Sequence, residues 1–258
     1  MKRALLIGIN YVGSSCELNG CVNDAINVRN ALVDSFHYDF NNIVLLTDNG
    51  TTVEKPTKES ILRHLEQVIA ATKPGDTLFI HYSGHGSQVV DINGDEKNNK
   101  EAKGMDSVLC PCDYEAYEGE DGFILDDKLK SMINKLPKGS KLRAFFDCCH
   151  GGTMLDLPYI YRHGKFEHVE SLNKGTDDCL TISGCRDNQT SADAYIDEKY
   201  SGALTWALLK VLANVNKVNT SWITLLTVAQ HYLATDQYTQ VPVLCAGNKD
   251  LLKQRVDL

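Results

Sequence analysis

The 258-residue chain has no apolar run approaching the roughly 20 residues that cross a bilayer, which argues against a membrane-spanning helix. It also lacks a basic run or stripe: 26 Lys and Arg are outnumbered by 34 Asp and Glu, for a formal net charge of -8. Binding to a phosphate backbone needs concentrated positive charge, so nucleic acid is not an expected partner. The acidic balance is compatible with basic peptides or metal cations as ligands, an argument of little weight by itself. Among nine cysteines there is no C-x2-C pair, and Cys110-Pro-Cys112 and Cys148-Cys149 suit tetrahedral ligation poorly, so zinc is not expected. After Met1-Lys2-Arg3 the apolar stretch is too short for a secretory signal, and Asn10 and Tyr11 stand where a cleavage region should be. With no leader and an odd cysteine count, reduced thiols in a cytoplasmic compartment are the expectation, most of them small buried hydrophobes. Two familiar loops are absent as well. GINYVG at 8–13 lacks the middle glycine of a dinucleotide fingerprint, which sets aside a nucleotide-binding module. The stretch from Asp91 to Asp95 fails as an EF-hand because Glu96 and Ala102 replace the required Gly and Glu. No internal repeat and no low-complexity tail is visible.

What is present is ordinary globular composition, 43% apolar and 23% charged, in a chain long enough to bury a substantial core. Apolar runs at 3–8, 43–47, 77–82, 142–147, 179–183 and 241–245 read as strands. Between them, Ala25, Val28, Leu32 and Phe36 form one helical stripe, and Ile61, Leu65, Val68 and Ile69 a second after Pro56-Thr57. Leu125, Leu129, Met132 and Ile133 form a third, with further helices near 203–213 and 222–234. Such alternation predicts an α/β fold, a mainly parallel central sheet with helices on both faces. Residues 91–122 read as an exposed loop or hairpin, and 157–178 as a long mobile connection.

In open parallel sheets, active sites form beyond the carboxyl ends of the strands. Here the strand at 77–82 runs into Ser83-Gly84-His85-Gly86, and that at 142–147 into Cys148-Cys149-His150-Gly151-Gly152. A histidine and a cysteine at neighbouring strand ends can face each other, the imidazole taking the thiol proton and later giving it to a leaving amine. The amides of Gly86 and Cys149 are candidate donors to the oxyanion of a tetrahedral intermediate. Taken singly, either residue could be an unremarkable loop residue; the pair at adjacent ends favours catalysis.

HYSGHG at 81–86 and DCCHGG at 147–152 resemble the two signature motifs of the metacaspases, a family of caspase-like cysteine peptidases. The resemblance continues through ALLIGINY at 4–11, LNGCVNDA at 18–25, GTMLDLPY at 152–159, ISGCRDNQTSADA at 182–194 and GALT at 202–205. It implies His85 as the catalytic histidine, with His81 structural, and Cys149 as the nucleophile ahead of Cys148, with His150 shaping its loop. It implies a substrate pocket of Cys21, Asp24, Ser83 and Asp147 selecting Arg or Lys, although Asp24 could equally steady a helix dipole. It implies Ca2+ as an activator held by Asp106, Asp126, Asp127 and Asp156, which could otherwise be a solvated acidic surface. The expected organisation is one caspase-like domain over 1–258, monomeric, large-subunit-like to about residue 165 and small-subunit-like from about 178. Arg162, Lys165 and Lys174 are candidate self-cleavage sites. Departures from the family pattern are Cys148 and Gly151 where Ser is usual, an enlarged acidic loop at 96–103, and no N-terminal prodomain. A reading from another class, a regulatory or interaction module on the same fold, is disfavoured by His85, Cys149, Asp24 and Asp147 all being present.

Overall fold

The structure, a computed structural model, describes residues 1–90, 105–149, 154–162, 164–169, 177–184, 193–196, 199–215 and 219–258. In chain order it contains β1 (Lys2–Gly8), α1 (Cys21–Phe36), β2 (Ile43–Thr47), α2 (Lys58–Ala71) and β3 (Thr77–Ser83). Then come β4 (Gly86–Val90), β5 (Met105–Leu109), β6 (Ile124–Leu125), α3 (Asp126–Ile133) and β7 (Lys141–Asp147). The rest comprises β8 (Tyr159–Arg162), β9 (Lys165–His168), β10 (Cys179–Ser183), β11 (Asp193–Ile196), β12 (Lys199–Gly202), α4 (Ala203–Val215), α5 (Trp222–Thr235) and β13 (Val243–Ala246).

Eight strands form the central sheet in the order β2-β1-β3-β7-β10-β13-β8-β9. The first five run parallel, and β13, β8 and β9 each pair antiparallel with the preceding neighbour. Both faces are covered, so β3 is buried along its whole length and β7 at every residue after Lys141. One face packs on α2 and α3 through Ile61, Leu65, Leu129 and Met132; the other packs on α1, α4 and α5 through Val28, Leu32, Leu208 and Leu225. Helix α2 begins where Thr57 accepts a hydrogen bond from the Ser60 N–H at 3.2 Å, a cap worth about 1 kcal/mol. Among the described residues no helix is long and apolar enough to cross a membrane.

Strand alternation decides which side chain goes where. Leu78, Ile80 and Tyr82 of β3 enter the α2–α3 layer, while Phe79 enters the α1–α4–α5 layer. Ser83 and His81 share the parity of Phe79: Ser83 bonds Asp24 of α1, and His81 bonds Thr205 of α4. In β7, Phe146 belongs to the first layer and Phe145 to the second, with Asp147 reaching α4.

Three expectations need correction. Residues 157–178 are not one mobile connection, because 159–168 form the hairpin β8–β9, which extends the sheet beyond β13. Cross-strand pairs Tyr161–Phe166 and Tyr159–His168, with ring centroids 4.9 Å apart in each, hold it, along with the Arg162–Glu167 ion pair. Four-residue strands carrying Arg, Lys and Glu at a sheet edge leave too little apolar signal to read in advance. Arg162 and Lys165 therefore face each other as the last pair before the turn, whereas Lys174 lies outside the described residues. Within 91–122, residues 105–109 are a buried strand at the centre of the small antiparallel sheet β4-β5-β6, hidden from pattern reading by Asp106 and Ser107. The loop at 96–103 lies outside the described residues. The last strand begins at Val243, after Pro242, which has no N–H to give a ladder.

Candidate active site

The two motif-bearing strands are neighbours. β3 pairs parallel with β7 in a register that sets Ser83 opposite Asp147, and the Gly84 N–H donates to the Asp147 carbonyl at 3.3 Å. The segments that follow then touch. A side chain at Gly86 would place its Cβ 2.1 Å from the Cys149 carbonyl oxygen and 3.2 Å from the Cys148 sulfur, so this approach requires glycine. Cys148 keeps the parity of Phe146 and is 1% exposed within the α2–α3 core layer, whereas Cys149 is half-buried. Of the two thiols, Cys149 is the more exposed. His150, Gly151 and Gly152 lie outside the described residues, and none of the eight described cysteines is in a disulfide.

His85 is held on three sides. Its Nε2 lies 2.7 Å from the Cys16 carbonyl oxygen. A carbonyl can only accept, so Nε2 carries the proton in the neutral ring and Nδ1 keeps the lone pair. The His85 N–H donates to the Tyr11 hydroxyl at 2.8 Å, and its carbonyl accepts from the Tyr82 hydroxyl at 2.7 Å and the Cys110 N–H at 3.2 Å. Gly86 and Leu109 form the next pair of the β4–β5 ladder, and the alternation of bonded and non-bonded pairs turns the Gly86 N–H away from β5. Burial pushes the Cys110 thiol up to about 12, and the nearby thiols of Cys16 and Cys149 add to it, which fits an inert packing role. His81, 0% exposed, is pushed down to about 3 by burial and stays neutral beside the Thr205 hydroxyl, 3.2 Å away.

Of the four residues expected to line the substrate pocket, Asp24, Ser83 and Asp147 come together, and Cys21 stands on the helix that carries Asp24. Cys21 opens α1, and Asp24 lies in the first turn of that helix. The Asp24 carboxylate accepts from the hydroxyls of Ser83 at 2.7 Å and Ser201 at 2.5 Å, and from the Gly202 N–H at 2.8 Å. Asp147 accepts from the Thr205 N–H at 2.8 Å. A Cβ on Gly202 would stand 2.3 Å from one Asp147 oxygen and 2.7 Å from one Asp24 oxygen, so both acids border one small space that glycine leaves open. Burial, and then the charge of Asp147, hold the Asp24 carboxyl well above the usual carboxylate range, against the pull of its hydrogen bonds. Asp24 is 0% exposed and Asp147 4%, so both acids are buried.

The four aspartates expected to hold calcium lie around the start of α3. Asp126 and Asp127 open that helix, and Asp126 accepts from the N–H of Ser107, the neighbour of Asp106 in β5. Asp156, at a left-handed φ of 45°, pairs with the buried ammonium of Lys130 at 3.0 Å, one turn along α3. All-carboxylate oxygen donors suit Ca2+, and Asp156 already holds a cation, the one this chain supplies. As arranged, though, no group of three or more His, Cys, Asp and Glu among the described residues is poised to hold a metal ion.

A family profile described as metacaspase, peptidase C14 domain, matches residues 2–158. The chain belongs to the metacaspase family. Metacaspase-1 of Scheffersomyces stipitis is 34% identical over 97% of this chain and 72% of its own length. Metacaspase-1 of Meyerozyma guilliermondii is 35% identical over 96% and 70%, and that of Saccharomyces cerevisiae 33% over 96% and 66%. A crystal structure of a Geobacter sulfurreducens protein shares the fold at a TM-score of 0.67 and 24% identity, covering 99% of this chain and 98% of that one. The caspase-like α/β architecture expected from sequence is therefore present, and this metacaspase is a cysteine-type peptidase whose substrates are proteins or peptides.

Sequence reading missed part of the metacaspase site. Cys16 contributes a main-chain carbonyl, which side-chain identity cannot reveal. Tyr11, Ser201 and Gly202 act from segments remote in sequence, and Tyr82 acts from within the motif that carries His85. The signal that could have flagged Gly202 was its place at the head of GALT, where a helix follows a strand directly.

Proposed function

We propose that this metacaspase cleaves peptide bonds after Arg or Lys through a Cys149–His85 dyad. The observation carrying the proposal is the Nε2-to-Cys16 anchor, which leaves His85 Nδ1 with the lone pair at the end of β3, beside the β7 end bearing Cys149. Nδ1 takes the Cys149 thiol proton, and the thiolate adds to the scissile carbonyl. The Gly86 and Cys149 amides donate to the resulting oxyanion; losing one such donor costs about 3 kcal/mol of transition-state stabilisation. His85 then protonates the departing amine, and water attacks the thioester by the reverse proton path. Asp24 and Asp147, with Cys21 and Ser83 beside them, favour a cationic side chain and repel an acidic one, since one charge pair at about 4 Å is worth roughly 4 kcal/mol before desolvation.

Calcium is proposed as an activator, not as a participant in the chemistry. Its ligands would be Asp106, Asp126, Asp127 and Asp156, and binding requires Asp156 to exchange the Lys130 ammonium for the ion. Both readings are tested by hydrolysis of fluorogenic peptides ending in Arg, Lys or Asp, with and without millimolar-range Ca2+. Arg and Lys peptides should turn over at least about 100-fold faster than Asp peptides, and Ca2+ should raise both the rate and the melting temperature. Equal rates on Arg and Asp peptides would refute the acidic pocket. Identical activity and melting in chelator would refute the calcium site and leave the dyad standing.

A further inference from the structure

Tyr11 is a non-glycine residue at φ 52°, a left-handed backbone that an aromatic residue adopts only against strain. Asp48, just past β2, holds it there: the two carboxylate oxygens accept from the amides on either side, Asn10 N–H at 2.9 Å and Val12 N–H at 3.2 Å. The Ser14 N–H closes the turn on the Tyr11 carbonyl at 3.0 Å. The result is to send a buried ring beneath His85, with ring centroids 4.6 Å apart.

The hydroxyl group does something more specific. His85 and Cys110 continue the β4–β5 register by one pair, and the Cys110 N–H makes its expected bond to the His85 carbonyl. The reciprocal bond is opened: the His85 N–H donates to the Tyr11 hydroxyl, which donates in turn to the Cys110 carbonyl at 2.6 Å. Tyr82 spends its single proton on the His85 carbonyl at 2.7 Å, so two phenols bracket the backbone N–H and C=O of one residue. Gly84 is small for the same reason, since a Cβ there would lie 2.9 Å from the Tyr82 hydroxyl and 3.0 Å from that of Tyr11. Burial raises both phenols well above their ordinary values, so this wedge keeps its protons.

From the wedge in the ladder, the ring contact and the held left-handed turn, we infer that Tyr11 is a positioning residue for His85, kept in place by Asp48. It fixes the imidazole plane so that Nε2 meets the Cys16 carbonyl and Nδ1 points to the reacting thiol. The inference rests on the Cys149–His85 reading. It adds that the precision of the dyad comes from the first βα turn, through a side chain that touches no substrate.

The test compares Tyr11→Phe, Asp48→Ala and His85→Ala with the parent protein in two assays. One is hydrolysis of an Arg fluorogenic peptide; the other is the pH profile of Cys149 alkylation by iodoacetamide, with the labelled residue identified by mass spectrometry. Tyr11→Phe keeps the ring and deletes the wedge. It should lower kcat about 10- to 100-fold with KM unchanged and move the alkylation midpoint toward that of His85→Ala. Asp48→Ala should do the same more weakly, and it decides the matter should Tyr11→Phe not fold. A fall in melting temperature with the parent kcat and alkylation profile would mean that Tyr11 is only structural, overturning the inference. If His85→Ala itself keeps the parent activity and profile, the dyad reading falls, and this inference with it. An inactive His85→Ala beside a fully active Tyr11→Phe would overturn the Tyr11 assignment alone.

Discussion

Buried charge gathers at both ends of strand β7, and the two ends treat it oppositely. At the amino end, Arg143 is 0% exposed and forked onto Asp257 by two bonds of 2.9 Å, with Asp178 at 2.8 Å and the Trp222 ring 5.8 Å away. Lys141 adds a third bond to Asp257 at 2.7 Å. Every charge there meets its opposite, so removing one member strands the other. At the carboxyl end, two acids, Asp24 and Asp147, meet across the space left by Gly202, and each raises the cost of ionising its neighbour. A chain under no functional demand would not assemble like charges in its core. On the reading proposed above, the amino end serves the fold, and the carboxyl end serves a ligand that brings the missing positive charge.

The comparison is tested most severely at Cys149. Cys149→Ala should reduce peptide hydrolysis by at least about 1,000-fold while leaving unfolding free energy within about 0.5 kcal/mol, as expected for a half-buried residue. Cys148→Ser should keep most of the activity, because its sulfur sits in the core and not at the surface of the site. Peptide-inhibitor labelling of Cys148 in place of Cys149 would reverse the assignment.

At the other end the effects should change places. Arg143→Met leaves Asp257 and Asp178 without their shared cation, and breaking a buried pair in this way costs about 3–5 kcal/mol. The variant should melt far lower, yet below its melting point it should hydrolyse an Arg peptide with an unchanged KM. A raised KM with unaltered stability would show that the two ends are not separate in function.

Those two ends were unequally legible in sequence. The carboxyl end was readable because its chemistry sits in contiguous motifs: His85 and Cys149 each follow an apolar strand, and glycine flanks them where the backbone must pass close. The parallel strands and main helices were readable for a related reason, since burial on both sheet faces leaves long apolar runs and burial on one helix face leaves a stripe. Arg143 was not readable. A lone Arg inside LRAFFD reads as a flaw in a strand until Asp257, 114 residues away, is seen to meet it. The β8–β9 hairpin and the buried strand β5 were hidden by charged residues that are satisfied only in three dimensions. The Cys16 carbonyl and the Tyr11 wedge were invisible for a different reason, because their roles depend on backbone direction more than on residue type.

The smallest expected effect is also the sharpest in sign. Asp24→Asn keeps an acceptor for the Gly202 N–H and partners for Ser83 and Ser201, but removes one of two facing acids. It should slow turnover of Arg and Lys peptides while leaving stability at neutral pH unchanged or higher. The pH dependence follows from linkage. Burial and Asp147 hold the folded Asp24 carboxyl above its unfolded value of about 3.9, so its contribution is full below about pH 4 and is lost as pH rises through the folded value. Asn does not titrate, so the stability of the variant relative to the parent should climb with pH from about 4 upward. Asp257 runs the other way. Burial opposes its charge, but the bonds and charges of Arg143 and Lys141 outweigh that and hold its carboxyl below the ordinary value. Its contribution is present above about pH 4 and is lost as pH falls through the folded value, so the deficit of Asp257→Asn should shrink on acidification. Urea unfolding of both variants and the parent from pH 3 to pH 8 measures the two slopes. Slopes of the same sign would mean that the charges at the two ends of β7 are managed alike, and the division between a scaffold end and a ligand end would have to be given up.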